Sequence, residues 1–375
     1  MRGNRMQRRE FIRTVCTGSC GIAASGILPA RVLAAESPYE VEARYYTKLD
    51  DNWISCQVCP RGCAVADGKK GFCRVRTNRE GKYYSSVYGR ACTYHVDPIE
   101  KKPLFHFMPG TTAFSIATVG CNLDCKFCQN WEISQEHPEN VDAYELKPAK
   151  VVEAAKQFDA PTIAYTYTEP IVWFEYALDC VRAGHDAGLR SVMVSAGYMN
   201  REPMVEVAGE MDAIKIDLKS ISGDYYKDIC SATLEPVLST LATIKETGTW
   251  LEIVNLMVPT LNDSDEDVER LCKWVKENLG SDVPVHFTRF YPTYKLKNLP
   301  PTPVSTVEKA REIALANGIN YPYVGNVPSG HPGESTYCPG CGEMVIKRVG
   351  YRVLSITLED GKCPSCGIEI PGIWS

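Results

Sequence analysis

The 375-residue sequence contains no apolar run near the roughly 20 residues that a membrane-spanning helix requires, which excludes a polytopic membrane protein. It has no internal repeat and no low-complexity stretch, so solenoids and fibrous arrays are excluded too. It is not poor in apolar residues, at 44%, nor overcharged, at 23%, so a disordered chain is excluded. It also lacks any basic excess, with 41 Lys+Arg against 46 Asp+Glu and a formal net charge of −5. Six of the basic residues (Arg2, Arg5, Arg8, Arg9, Arg13 and Arg31) crowd into residues 1–35 beside one acid, Glu10. The remainder therefore holds 35 basic and 45 acidic side chains, and no nucleic-acid partner is expected. The length suits two or three structural units, one of them large enough for a substantial core.

What the chain does have is cysteine, 17 residues in all, and an unusual N-terminus. Arg8-Arg9-Glu10-Phe11-Ile12-Arg13 is a twin-arginine pattern, followed by the weakly apolar stretch from Val15 to Leu28 and small residues at Ala34-Ala35. That layout reads as an export signal over residues 1–35, placing the protein in the periplasm with no membrane span after its removal. The alternatives are a frayed basic terminus or a misassigned start, which would leave the protein in the cytoplasm. Cys16 and Cys20 would be lost with the signal.

Eleven of the other fifteen cysteines fall into three tight groups, with Cys92, Cys180, Cys230 and Cys272 standing alone. Spacings of two and three residues gather sulfurs around one centre, which suits a metal better than a cross-link between distant loops. In the C-terminal group, Cys338-Pro-Gly-Cys341-Gly and Cys363-Pro-Ser-Cys366-Gly are two turns ending in glycine, separated by the alternating strand-like run Tyr351 to Leu358. Two such knuckles make a closed four-thiolate site of zinc-ribbon type over residues 331–375, with rubredoxin-like iron or disulfides as alternatives. In the N-terminal group, Cys56, Cys59, Cys63 and Cys73 sit in a β-rich segment spanning residues 36–108. They could hold zinc or a second Fe–S cluster, or form disulfides, and spacing does not separate the metals.

The middle group carries the chemistry. Cys121-x3-Cys125-x2-Cys128 follows the apolar run Ala113 to Val119 and the turn residue Gly120, with Phe127 before the last cysteine. Three thiolates hold three irons of a 4Fe–4S cluster and leave the fourth iron for a small molecule; the alternative is a structural cluster with a fourth ligand from elsewhere. The stretch from Cys121 to Gln135, with Asp97-Pro-Ile-Glu-Lys-Lys-Pro-Leu-Phe-His-Phe107 before it, resembles radical S-adenosylmethionine (SAM) enzymes related to pyruvate formate-lyase activating enzyme. It is most similar to the branch called the AmmeMemoRadiSam system radical SAM enzyme, over about residues 50–330.

The resemblance implies an α/β fold, a partial (β/α)6 TIM-like barrel over residues 109–330 with its site at the strand C-terminal ends. It also implies reductive cleavage of S-adenosylmethionine to a 5′-deoxyadenosyl radical that abstracts hydrogen, in the manner of a glycyl-radical activating enzyme. An electron donor such as flavodoxin or ferredoxin is implied, with a protein among the candidate substrates. Thr168-Glu169-Pro170 matches the family segment that contacts the methionine amino group, with Tyr167-Thr168 in place of two glycines. Ser195-Ala196-Gly197 stands at a strand end where the family has Thr-Asn-Gly, and Asp217-Leu218-Lys219 matches its Asp-x-Lys strand end. Asn255 and His286, on later strands, are candidates for the barrel interior. Each has a structural alternative: Glu169 as a helix cap, Lys219 as a solvated strand end, His286 as a satisfied core histidine. A rival function of another class is a non-catalytic exported Fe–S electron carrier.

Overall fold

The computed structural model describes residues 38–375, so the expected export signal lies outside the described residues. Seven parallel strands form the main sheet: β2 (Thr112–Ala117), β3 (Thr162–Tyr165), β4 (Arg190–Ser195), β5 (Ala213–Asp217), β6 (Trp250–Met257), β7 (Val285–Arg289) and β8 (Pro322–Gly325). They pair in chain order, and β1 (Thr93–Pro98) joins the β2 edge antiparallel. Strands covered on both faces need apolar residues at consecutive positions, and β3 accordingly has all four of its residues buried.

Helices follow the strands: Pro148–Gln157, Phe174–Asp186, Arg201–Glu210, Glu235–Thr247, Asp265–Leu279 and Val304–Ala316. Six β/α units thus precede β8, a seventh parallel strand beyond the six expected. The Asp265–Leu279 helix starts where Asn262-Asp263-Ser264 predicts it, with the Ser264 hydroxyl accepting from the Asp267 N–H at 3.2 Å and three acids in its first turn. A further helix, Gly223–Cys230, is not marked by sequence periodicity; Ser222 caps its start and left-handed Ser231 ends it. No helix among the described residues is long and apolar enough to cross a membrane.

The N-terminal cysteine-rich segment forms two three-stranded antiparallel sheets. Its Ile54, Val58, Val65, Val75 and Tyr83 belong to the same buried cluster as the parallel sheet. A buried ion pair, Arg76 to Glu175 at 2.5 Å, ties it to the Phe174–Asp186 helix. At the other end of the chain, the hairpin Met344–Val349/Arg352–Ile356 contains the expected strand. A second core cluster joins Cys338, Val345, Ile346, Cys363 and Ile370 to Phe105, Tyr321 and Tyr323, so this module packs against the last strand.

Candidate active site

Strand β2 runs into the cysteine loop through Gly120, whose φ of +97° suits glycine alone. A Cβ there would also lie 2.6 Å from the Cys73 carbonyl oxygen and from Val75 Cγ1. The loop is pinned from the opposite side, where the Asp124 and Lys126 N–H groups donate to the carbonyls of Cys230 and Ile229 at 3.2 and 2.9 Å. Within it the Leu123 N–H meets Cys121 Sγ at 3.3 Å, and Cys128 Sγ lies 3.2 Å from the Ser134 hydroxyl. Phe127 is buried beneath, with the Lys219 ammonium 5.5 Å from its ring centre.

Cys121, Cys125 and Cys128 line a cleft of about 510 Å³ whose walls also include Glu169, Ser195, Asp217 and Lys219. The cleft thus brings together seven residues singled out from the sequence, drawn from the ends of β2, β3, β4 and β5. Glu169 is 2% exposed. One of its carboxylate oxygens accepts from the Ser195 hydroxyl at 2.7 Å and from the Ile171 N–H at 3.3 Å, and the other from the Ala196 N–H at 2.8 Å. It therefore caps the short helical turn Pro170–Trp173 and faces the cleft as well. Burial pushes its carboxyl pKa up, while these donors pull against that shift.

Asp217 sits between two ammonium groups, Lys215 Nζ at 2.5 Å and Lys219 Nζ at 3.6 Å. Burial pushes its pKa up, but the two lysines outweigh burial and hold it below its ordinary value. For Lys219 burial disfavours the charge, and Asp217 with the Cys125 thiol more than offsets that. Lys219 is therefore a partly buried cation between an acid and the cysteine loop, with 11% of its side chain exposed.

Two candidates lie elsewhere. Asn255 is buried and donates to the Leu218 carbonyl at 2.8 Å, while its neighbours Val254 and Leu256 line the cleft. Strand alternation turns Asn255 to the opposite face. His286 lies near the start of β7 and pairs with fully buried Glu252 at 2.7 Å, whereas Thr288, two residues further along, reaches the cleft. His286 is a satisfied core histidine, and burial depresses its pKa.

Other cleft residues were not singled out in advance. Lys101 and Lys102 come from the segment after β1; both pair with Asp97, at 2.8 and 2.6 Å, and Tyr167 donates to the same carboxylate at 2.6 Å. Burial depresses the Lys102 pKa to about 8, with Asp97 opposing the shift. Asn130 donates to the Tyr167 carbonyl at 2.7 Å, holding that residue at a φ of +65°. Tyr351, from the C-terminal module, also lines the cleft.

A profile described as the radical SAM superfamily matches residues 115–275, which includes the cysteine loop and the strand ends around it. The chain belongs to the radical SAM superfamily. Its relatives include protein MJ0808 of Methanocaldococcus jannaschii, 44% identical over 331 residues, or 88% of this chain and 98% of that one. The pyruvate formate-lyase-activating enzyme of Clostridium pasteurianum is 26% identical over 42% of this chain and 66% of its own. The solved structure of Streptococcus suis SuiB bound to S-adenosylmethionine is 13% identical and covers 64% of this chain and 56% of that chain, with a TM-score of 0.47. The superfamily profile and the activating-enzyme relative support radical SAM catalysis, and neither supports the non-catalytic electron carrier.

Radical SAM membership implies a 4Fe–4S cluster and S-adenosylmethionine, and this cleft fits both. Three thiols line it, and Glu169, Asp217 and Lys219 add both signs of charge to the same lining. The C-terminal quartet is a separate centre. Cys338, Cys341, Cys363 and Cys366 place all four sulfurs within 4.8 Å of one another, with pairs at 3.5 and 3.6 Å, an arrangement that can hold a metal ion.

Proposed function

We propose that this protein is a radical SAM enzyme of activating-enzyme type, with Cys121, Cys125 and Cys128 holding a 4Fe–4S cluster and S-adenosylmethionine bound beside it. When bound, the cluster supplies one electron, which cleaves the sulfonium and yields a 5′-deoxyadenosyl radical for hydrogen abstraction. The observation that carries this reading is the single cleft shared by the three cysteines and the strand-end charges Glu169, Asp217 and Lys219.

The chain's own groups have distinct tasks. The Glu169 carboxylate, fixed from Ser195, Ala196 and Ile171, accepts the methionine ammonium. Lys219 offers a cation to the methionine carboxylate or the nucleoside hydroxyls, and Asp217 holds Lys219 in place. Phe127 and Leu123 keep the floor dry, which limits quenching of a radical by water. Lys101, Lys102 and Tyr351 stand at positions suited to the substrate. Relatives named as activating enzymes of pyruvate formate-lyase and of 4-hydroxyphenylacetate decarboxylase support a protein substrate. A flavodoxin or ferredoxin is the electron donor we propose.

Anaerobic reconstitution with iron, sulfide, dithionite and S-adenosylmethionine tests the reading. The native chain should release 5′-deoxyadenosine, and a yield no greater than that of a Cys128→Ala control would overturn it. The twin-arginine pattern at Arg8-Arg9 supports export of the folded, cofactor-loaded protein; cell fractionation that finds only uncleaved cytoplasmic chain would remove that part. The C-terminal quartet is best suited to structural zinc, because four thiolates leave no open position.

A further inference from the structure

The N-terminal quartet converges although its members come from two separate turns. Cys56 pairs back onto the turn at Cys59–Gly62 through its N–H to the Cys63 carbonyl, at 3.0 Å. Cys73 arrives on the Gly71–Arg74 turn, closed by the Arg74 N–H on the Gly71 carbonyl at 3.0 Å. Thiols of the two turns lie within electrostatic reach: Cys63 bears on Cys56, both bear on Cys59, and Cys56 and Cys59 bear on Cys73. Three of the four are buried.

Two buried donors beside this quartet have no protein acceptor, the Tyr83 hydroxyl and Arg76 Nη1. Both side chains are nearly sealed from solvent, Tyr83 at 0% and Arg76 at 1% exposure. A Cβ on Gly71 would sit 2.6 Å from Tyr83 Oη and 3.9 Å from Cys63 Sγ, so that hydroxyl lies in the quartet's pocket. Burying a donor without an acceptor carries a desolvation penalty that nothing else here offsets. Sulfide and thiolate acceptors of a bound group would satisfy them.

The sulfur separation distinguishes the two metal classes. A single zinc ion at about 2.3 Å from each ligand draws four sulfurs to about 3.8 Å apart. A 4Fe–4S cube interposes its own irons and sulfides and so spreads the cysteine sulfurs wider. Among the described residues, only the C-terminal quartet forms a set of three or more metal-ligating groups within 4.8 Å. The N-terminal quartet is wider, as is the Cys121/Cys125/Cys128 trio, for which the family implies a cluster.

We infer that Cys56, Cys59, Cys63 and Cys73 ligate a second iron–sulfur cluster, of 4Fe–4S class, packed directly against the catalytic cysteine loop. That packing is specific. The Cys73 carbonyl abuts Gly120, and the Arg61 guanidinium donates to the carbonyl of Asn122 within the loop and to that of Ser231, next to Cys230. The Asn200 N–H, just beyond β4, donates to the Val58 carbonyl at 3.0 Å. The quartet leaves no position for an exchangeable ligand, so the site holds its cluster without binding substrate.

The inference stands apart from the proposed activity, because the test removes the catalytic ligands. The full chain carrying Cys121→Ala, Cys125→Ala and Cys128→Ala is reconstituted anaerobically, and iron, acid-labile sulfide and zinc are counted. About four irons and four sulfides per chain should remain, with a low-temperature EPR signal after dithionite that disappears when Cys63→Ala is added. Iron and sulfide near zero with about two zinc ions per chain, or a Cys56–Cys73 region found oxidised to disulfides by mass spectrometry, would overturn the inference. Should the triple variant not fold, the native chain decides: about eight irons per chain support the second cluster and about four exclude it.

Discussion

The Glu169 carboxylate accepts the Ser195 hydroxyl at 2.7 Å across the ends of two adjacent parallel strands, and the neighbouring Ala196 N–H completes the grip at 2.8 Å. This fixes an acid that burial would otherwise turn aside or neutralise. Replacing it by Glu169→Gln keeps the volume and removes the charge. Hydrogen bonds to charged groups are worth about 1.5–3 kcal/mol, so S-adenosylmethionine affinity should weaken by about tenfold to a hundredfold. Ser195→Ala, which removes one donor and leaves the charge, should weaken it less. Titration calorimetry on the reconstituted protein checks the order, and an unchanged affinity in Glu169→Gln would remove Glu169 from the binding site.

Much of this cleft was legible because the residues that line it are adjacent in sequence or stand at strand ends. Cys121, Cys125 and Cys128 share one loop, and Glu169, Ser195, Asp217 and Lys219 each follow a run of buried residues. Depth within a strand was not legible. Asn255 and His286 lie in strands buried on both faces, where no polar alternation tells the cleft side from the other or the top layer from the bottom. Lys102 and Lys215 were missed for a related reason: a lysine in sequence looks like surface, and only the fold shows Asp97 and Asp217 waiting for them. The Gly223–Cys230 helix is eight residues long and opens on glycine, too short and too weak in propensity to show a period.

Gly120 couples the catalytic loop to the N-terminal cysteine segment. Gly120→Ala would force a side chain into positive φ and against the Cys73 carbonyl. A cost of about 2 kcal/mol or more is expected, through backbone strain and displacement of buried chain. Melting temperature should fall by several degrees, and iron per chain after reconstitution should drop with it. Full iron loading and an unchanged melting curve would show that the contact is dispensable.

His106 predicts a definite pH response. It is fully buried, with Nδ1 2.7 Å from the Pro371 carbonyl and Nε2 2.6 Å from the Tyr323 hydroxyl, and Glu252, His286 and Arg348 are its ionisable neighbours. Burial lowers its pKa to about 4, with Glu252 opposing the shift. Between about pH 6.5 and pH 4 the unfolded chain therefore binds a proton that the folded chain refuses. Stability from this residue is fully present above that window and is lost as the pH falls, by at most about 1.4 kcal/mol per unit. Urea unfolding of His106→Asn should show a shallower decline over the same range. An equal slope in both proteins would mean that His106 accepts its proton in the folded state.

The C-terminal quartet tests whether the proposed zinc supports only its own hairpin or the sheet as well. Buried Cys338 and Cys363 pack in one cluster with Tyr323 of the last parallel strand and Tyr321 just before it, while Cys341 and Cys366 are exposed. Arg348 of the same module donates to the Phe105 carbonyl at 2.7 Å, beside the Glu252–His286 pair. Cys341→Ala removes one ligand without opening a core cavity, so any destabilisation reports the metal rather than lost packing. About one zinc per chain should be lost. The loss should reach strand β8, through the Tyr323 hydroxyl, which lies 2.8 Å from Thr336. Amide hydrogen exchange follows this directly: protection should drop at Met344–Val349 and also at Pro322–Gly325. Loss confined to the hairpin would show that the module closes on itself and that the sheet stands without it.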